Sequence, residues 1–221
     1  MVGPSSSHTA GACKIGQMAR AIFHGTPNKV EFFLHGSFAT VYKGHSTDRA
    51  LLAGVMKCKT ADPLIKTAFD LAKEKKLEYE FIPTDLGPQF HPNSVKIVLY
   101  KPSRVPMAVI GSSLGGGIVQ IVKIDEFDVD IKGVAGVYKT LIVWHQNDPE
   151  ILQNLTKKIE TYNEPTTGVH QKIHDIQTTN VGKNSLTVLN IDGRDFHLEE
   201  ILELEEIPGI SDVRSLTKPE N

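Results

Sequence analysis

Residues 95–131 read VKIVLYKPSRVPMAVIGSSLGGGIVQIVKIDEFDVDI, and this stretch decides the fold of the first half of the chain. Short runs rich in Val and Ile alternate with segments rich in Pro, Gly and Ser, a pattern typical of consecutive strands joined by turns. It predicts strands at Val95–Tyr100, Val105–Ile110, Ile118–Ile124 and Phe127–Ile131.

Upstream of this stretch, apolar residues recur mainly at helical spacing. The pattern predicts helices at Thr9–Phe23, Asp48–Lys57 and Asp62–Lys75, and strands at Lys29–Leu34 and Leu77–Ile82. Because the helices come early and most strands come late, residues 1–136 are predicted to form an α+β domain.

Downstream, a second unit follows the linker 133–136. Strands are predicted at Thr140–His145, Val169–Ile176, Leu186–Ile191 and Gly209–Leu216, and helices at Pro149–Tyr162 and Phe196–Leu204. This βαββαβ order predicts a ferredoxin-like domain over residues 137–221.

Composition narrows the classes of function. The 221 residues carry a formal net charge of −2, so no excess of Lys and Arg indicates a nucleic-acid partner. No apolar run is long enough to cross a membrane, and no secretion signal opens the chain. The two cysteines, Cys13 and Cys58, cannot build a disulfide framework, which favours a cytoplasmic location. They are also too few to hold a cubane iron–sulfur cluster, which usually takes four thiolates.

The first candidate site is the run Gly3-Pro4-Ser5-Ser6-Ser7-His8-Thr9, directly before an apolar helix. A helix N-terminus exposes unpaired N–H groups and attracts carboxylate or phosphate, and a histidine there can move a proton near neutral pH. The alternative is a plain helix cap, because serines are common N-caps.

Three further polar clusters follow strands or precede helices, where functional loops are common. They are Leu34–Thr40 with Ser37, Lys43–Asp48 with Lys43 and His45, and His91-Pro92-Asn93. The run Gly111–Gly117 indicates backbone close to a ligand or partner, or else a tight turn. It lacks the Lys-Ser/Thr of a phosphate loop and the context of a dinucleotide fingerprint. Neither a serine-hydrolase elbow nor a zinc-binding HExxH pattern is present.

In order and spacing, these clusters resemble the β chain of bacterial two-chain, iron–sulfur-dependent L-serine dehydratases over nearly the whole chain. The matching runs are Val2–Ala12, Gly36–Thr40, Lys43–Asp48, His91–Asn93 and Gly115–Gly117. The N-terminal part resembles the family's allosteric-substrate-binding-like domain. The C-terminal part resembles an ACT domain, a module that often binds amino acids and pairs with other copies.

The resemblance implies conversion of L-serine to pyruvate and ammonia. It places a [4Fe-4S] cluster on a separate, cysteine-rich α chain, with no metal on this chain, which would be inactive alone. The catalytic residues implied are His45 as base and His8 as proton carrier or carboxylate partner, with the reverse assignment open. The substrate-binding residues implied are Ser5, Ser6, Ser7, Thr9, Ser37, Lys43, His91 and Asn93.

Two departures from the family pattern lead to expectations. The family has a strand before the Gly-Pro-Ser run, whereas this chain starts directly against it, so we expect residues 5–8 to lack that support. ACT domains often have Asp-x-Pro-Gly at the first strand-to-helix turn, where this chain has Gln146, Pro149 and Glu150. Because Glu150 would crowd an effector that glycine admits, we expect a weak or absent effector site and a domain kept for homodimerisation.

Two other functions stay open on the sequence. One is a non-catalytic, amino-acid-sensing regulatory subunit, because the N-terminal part also resembles the intervening domain of some D-3-phosphoglycerate dehydrogenases. The other is a serine sensor that never meets an α chain.

Overall fold

The computed structural model describes residues 7–43, 46–132, 139–164 and 169–216. The chain divides into two compact units, residues 1–134 and 135–218. The linker predicted at 133–136 lies outside the described residues.

A mixed sheet forms the centre of the N-terminal unit, as the alternation of apolar residues predicts. Among the described residues its strands are β1 Lys29–Leu34, β2 Glu78–Pro83, β3 Ser94–Tyr100, β4 Met107–Gly115, β5 Ile118–Ile124 and β6 Phe127–Lys132. Their order is β2-β1-β3-β4-β5-β6. Only β1 and β2 are parallel; every other pair is antiparallel.

Helices pack on this sheet through apolar faces. The helical segments are α1 Ala12–Phe23, α2 Ser37–Val41, α3 Thr47–Val55, a 3-10 helix Pro63–Thr67 and α4 Ala68–Glu74. Helices α1 and α3 cross closely, because a side chain at Gly16 would meet the Leu51 carbonyl and one at Gly54 the Cys13 carbonyl. The apolar side of α1, including Ile15, is fully buried.

The C-terminal unit has the predicted βαββαβ order. Its elements are β7 Lys139–Gln146, α5 Pro149–Glu160, β8 Asn163–Glu164, β9 Val169–His170, β10 Lys172–Val181, β11 Asn184–Asp192, α6 Leu198–Glu205 and β12 Ile210–Leu216. The four long strands form an antiparallel sheet in the order β10-β11-β7-β12, which is the ferredoxin-like arrangement. Leu141, Val143, Leu155 and Ile159 centre its core.

The α+β class is confirmed, three predicted elements need correction, and one observed helix was not predicted. Helix 62–75 is split into a 3-10 turn capped by Asp62 and the shorter α4. Strand β4 begins at Met107 rather than Val105, because Pro106 has no N–H to donate and Val105 is 84% exposed. The predicted strand 169–176 is interrupted and extends as β10 to Val181. Helix α2 arises in a region where the sequence pattern indicated only a turn.

No helix among the described residues is long and apolar enough to span a membrane.

Candidate active site

The centre of the candidate site is His8, on a π-helical turn at Ser7–Gly11 that leads into α1. Its ring is half-buried, and Nε2 lies 3.0 Å from the Ser37 hydroxyl oxygen. Its edge also packs against the Phe38 ring at 5.6 Å between centroids. Single π turns inside helices are frequent at functional sites. The structure therefore brings together two predicted site residues that lie 29 positions apart.

The predicted capping role of the serine run is not seen at α1 itself. The N-cap of α1 is Gly11, which has helical backbone angles and no side chain to bond. The π turn at Ser7–Gly11 precedes it, so the observed N-cap comes later in the sequence than the serine run. Thr9 is half-buried on that turn. Ser5, Ser6 and the side chain of Ser7 lie outside the described residues, and so does His45.

Backbone packing at Gly36 positions Ser37. Gly36 has φ 56° and ψ −123°, and a Cβ there would lie 2.6 Å from the Pro92 carbonyl oxygen. The Ser37 amide donates to that same carbonyl at 2.8 Å. Only glycine fits this approach, so the Gly-Ser and His-Pro-Asn motifs lock together and present Ser37 to His8.

The His91-Pro92-Asn93 motif is held mainly through local hydrogen bonds. The exposed His91 accepts a hydrogen bond at Nδ1 from the Asn93 amide at 3.1 Å. The Ser94 hydroxyl donates to the His91 carbonyl at 2.6 Å, and the Asn93 carbonyl accepts from the Ser113 amide at 2.9 Å. His91 Nδ1 thus supports a turn, while the motif anchors the ends of β3 and β4 beside the site.

Lys43 lies against the ring of its neighbour Tyr42. Its Nζ is 5.6 Å from the ring centroid of Tyr42, and the side chain is exposed. No described contact joins it to His8 or Ser37. Beyond Lys43, the Thr47 amide donates a hydrogen bond to the Tyr42 carbonyl at 3.0 Å.

The sequence pattern did not reveal several buried polar groups near these motifs. Asp48, predicted only as a first-turn residue, is 8% exposed, and burial raises the pKa of its carboxyl. Its Oδ1 accepts from the Arg49 amide at 2.7 Å. Within the described part of the chain, the buried hydroxyls of Thr47 and Ser113 have no hydrogen-bond partner. Gly16 and Gly54, isolated glycines within helical patterns, were the available signal that two helices meet closely here.

The glycine run forms part of a strand and a turn. Gly111–Gly115 belong to β4, and Gly116 and Gly117, with φ of 60° and 79°, turn the chain into β5. Lys14 of α1 donates to the Gly117 carbonyl at 3.2 Å. The backbone at Gly116 and Gly117 therefore forms the tight turn that the sequence offered as one of two interpretations.

The metal-binding side chains of the described residues do not fit an iron–sulfur cluster. Among the described residues, no three His, Cys, Asp or Glu side chains lie close enough to hold a metal ion. Cys13 and Cys58 are both buried free thiols, and burial raises the pKa of Cys13 to about 12. Because a cluster is bound by thiolates, this environment opposes ligation.

Comparison with known proteins points to one family. Residues 1–123 match the family model described as "Serine dehydratase beta chain". The chain is 43% identical over 187 residues to the "L-serine dehydratase, beta chain" of Peptoniphilus asaccharolyticus, covering 85% of this chain and 78% of that protein. It is 30% identical over 217 residues to the "Probable L-serine dehydratase, beta chain" of Bacillus subtilis, covering 98% and 93% respectively.

One solved structure is similar over part of the chain. It is the ACT domain of a GTP pyrophosphokinase from Chlorobium tepidum, which matches 36% of this chain and 96% of its own at 12% identity and a TM-score of 0.28. The ferredoxin-like description of the C-terminal unit rests on its own strand order.

Proposed function

The chain belongs to the serine dehydratase β-chain family, and from this premise we propose that it acts in the conversion of L-serine to pyruvate and ammonia. The observation that carries the proposal is the 3.0 Å contact between His8 Nε2 and Ser37 Oγ. It joins two separate motifs in the way a shared site requires.

The reaction removes the α-proton of serine and its β-hydroxyl, leaving aminoacrylate, which tautomerises and is hydrolysed to pyruvate and ammonia. We assign the base to His45 and the proton carrier or carboxylate partner to His8, with the two roles exchangeable. An imidazole suits both roles because it gains and loses a proton near neutral pH. Ser37 holds the His8 ring in position. The polar groups proposed to bind the substrate are Ser5, Ser6, Ser7, Thr9, Ser37, Lys43, His91 and Asn93.

We propose that the [4Fe-4S] cluster of the reaction belongs to a separate, cysteine-rich α chain. A β chain implies an α chain, and the buried thiols of Cys13 and Cys58 are poorly suited to bind a cluster. In this proposal the chain is inactive alone, functions in the cytoplasm and contributes one wall of the site.

The C-terminal unit is proposed to act as an ACT-type module that pairs with a second copy. Its first strand-to-helix turn carries Asp148, whose carboxylate accepts from the Glu150 amide at 2.9 Å and caps α5. Glu150 occupies the place where an effector would need glycine. We expect weak or absent effector binding, and calorimetric titration of the chain with L-serine before and after Glu150→Gly tests it. If the unaltered chain binds L-serine tightly, and a substitution in the C-terminal unit abolishes that binding, the expectation is contradicted.

The decisive experiment pairs this chain with a cysteine-rich α chain under anaerobic conditions and measures pyruvate formed from L-serine. We expect activity only from the pair, and its loss in the variant with both His8→Ala and His45→Ala. His174→Ala, an exposed histidine on β10, is the matched control and should leave activity unchanged. Full activity in the double variant would instead favour a non-catalytic, amino-acid-sensing subunit.

A further inference from the structure

A surface hollow lies in the N-terminal unit, and neither His8 nor Ser37 lines it. It encloses about 580 Å³ between the start of α3, helix α4 and strand β2. That volume lies within the range of small-molecule sites, roughly 300–1,000 Å³. β2 is an edge strand of its sheet, so the hollow opens at the side of this unit.

Four aromatic rings line this hollow, which we call the aromatic hollow: Tyr42, Phe69, Tyr79 and Phe81. Phe69 and Tyr79 stack at 5.5 Å between centroids, and Phe81 lies edge-on to Tyr79 at 5.8 Å. Tyr79 is 38% exposed. Partly exposed, mutually fixed rings form a ready surface on which another planar ring can stack.

Two cations stand beside these rings. The Arg49 guanidinium lies 5.4 Å from the Phe69 centroid, and Lys43 Nζ lies 5.6 Å from the Tyr42 centroid. Both side chains are exposed. Among the described residues neither forms a direct ion pair, although both interact electrostatically with the buried Asp48 carboxylate. Their charge is not cancelled by direct pairing, and a guanidinium is well suited to bind a carboxylate through two hydrogen bonds.

Asp48 is the one carboxylate whose side chain we place at the aromatic hollow. It is buried, and its Oδ1 is already bonded to the Arg49 amide. Glu80 also borders the hollow, but alternation along β2 directs its side chain to the sheet face opposite Tyr79 and Phe81. Two cations against one carboxylate leave an excess of positive charge.

We propose that the aromatic hollow binds an organic carboxylate with a planar, apolar body, the carboxylate bonded to Arg49 and the body packed against the aromatic rings that line the hollow. The planar body of such a ligand would pack on the aromatic rings, and its carboxylate would bind the Arg49 guanidinium. L-Serine has no ring for this surface, so the ligand class differs from the substrate of the proposed reaction.

A ligand in the aromatic hollow would contact the chain on both sides of His45, because Lys43 and Asp48 border the hollow. Binding there would therefore involve residues that flank the proposed base in the sequence. This consequence rests on the proposed function, whereas the binding itself does not. Binding is accordingly tested on this chain alone, and a failure of dehydratase activity would leave that test intact.

The experiment is calorimetric titration of the full chain with phenylacetate, with acetate and phenylacetamide as probes that lack the ring or the charge. We expect phenylacetate to bind at least about tenfold more tightly than either. Arg49→Met should weaken binding by about tenfold, and Arg49→Lys by less, because the charge remains without the planar fork. Phe69→Leu should weaken phenylacetate binding without affecting that of acetate.

Arg104→Met is the matched control, because Arg104 also lies over a ring, that of Phe23 at 4.8 Å, away from the hollow. It should leave phenylacetate binding unchanged. Three results would overturn the proposal: no saturable heat up to the order of 10 mM, equal affinity for acetate and phenylacetate, or unaltered binding by a folded Arg49→Met variant. Circular dichroism of each variant establishes that it is folded.

Discussion

The two units of this chain use buried or half-buried histidines in opposite ways. His145 in β7 is 5% exposed and has both ring nitrogens bonded, Nδ1 to the Gln146 carbonyl at 2.7 Å and Nε2 to the Thr187 hydroxyl at 2.8 Å. Thr187 in turn bonds Thr178 at 2.8 Å. His8 is half-buried on a π-helical turn and contacts a hydroxyl from a distant motif.

The difference separates a histidine bonded within its own sheet from one that is proposed to act in a site. His145, Thr187 and Thr178 form a series of hydrogen bonds within one sheet. Because each side chain has a partner, burying them costs little free energy, and the bonds hold the neighbouring strands together. In the N-terminal unit, the hydroxyls of Thr47 and Ser113 are buried without partners in the described residues, and Asp48 is buried with a raised pKa. Among the described residues the C-terminal unit also holds such an atom, Gln171 Oε1, so burial without a partner does not by itself mark a site.

The comparison is tested most strongly by His8→Asn. Loss of the imidazole should lower serine dehydration by the reconstituted pair by about 10²–10⁴-fold, the usual contribution of a proton-transferring side chain. The melting temperature should change little, because the ring is only half-buried. Steady-state pyruvate formation and thermal unfolding measure the two effects. A variant with a clearly lower melting temperature that keeps its specific activity would make His8 structural.

The next test adds one methyl group in each unit. Gly54→Ala forces a Cβ against the Cys13 carbonyl and should lower the free energy of unfolding by about 1–3 kcal/mol, although alanine favours helices. Gly182→Ala meets no atom within 4 Å but has φ +60°, so only about 1 kcal/mol of backbone strain is expected. Urea unfolding of both variants gives the comparison. Equal losses would mean that the α1–α3 crossing is not tight.

A third test breaks the series of hydrogen bonds that joins His145, Thr187 and Thr178 in the C-terminal unit. Thr187→Val leaves His145 Nε2 and the Thr178 hydroxyl without this partner, which should cost about 1–3 kcal/mol. Dehydratase activity at saturating serine should persist, since the change lies outside the proposed site. Chemical unfolding and pyruvate assays decide between the outcomes, and a large loss of activity at unchanged stability would contradict the structural role.

The smallest effect concerns Asp48. Burial raises the pKa of its carboxyl, so the folded protein holds that proton more tightly than the unfolded chain does. The folded state therefore loses stability as pH rises from the unfolded pKa, near 3.8, through the higher folded value. Asp48→Asn keeps the acceptor for the Arg49 amide and removes the charge. Its stability relative to the unaltered chain should increase over that pH range, as measured by urea unfolding at each pH; a constant difference would contradict this.

By itself, the sequence determined the α+β class, the βαββαβ order and the membership of His8 and Ser37 in recognisable motifs. Local periodicity and turn residues carry that information, because alternation and helical spacing are properties of short segments. Even so, prediction from local patterns began β4 too early, at Val105, and missed α2. The start of β4 depends on its neighbouring strands, and α2 depends on the contact between Gly36 and Pro92.

Only the tertiary structure decided which residues meet. Contacts between positions far apart in sequence depend on the packing of whole elements. Helix crossing through Gly16 and Gly54 brings α1 against α3, and the Gly36–Pro92 approach orients Ser37 toward His8. The same packing buries Asp48 and places Arg49 and Lys43 at the aromatic hollow beside rings from α4 and β2, a position that no local pattern in the sequence predicts.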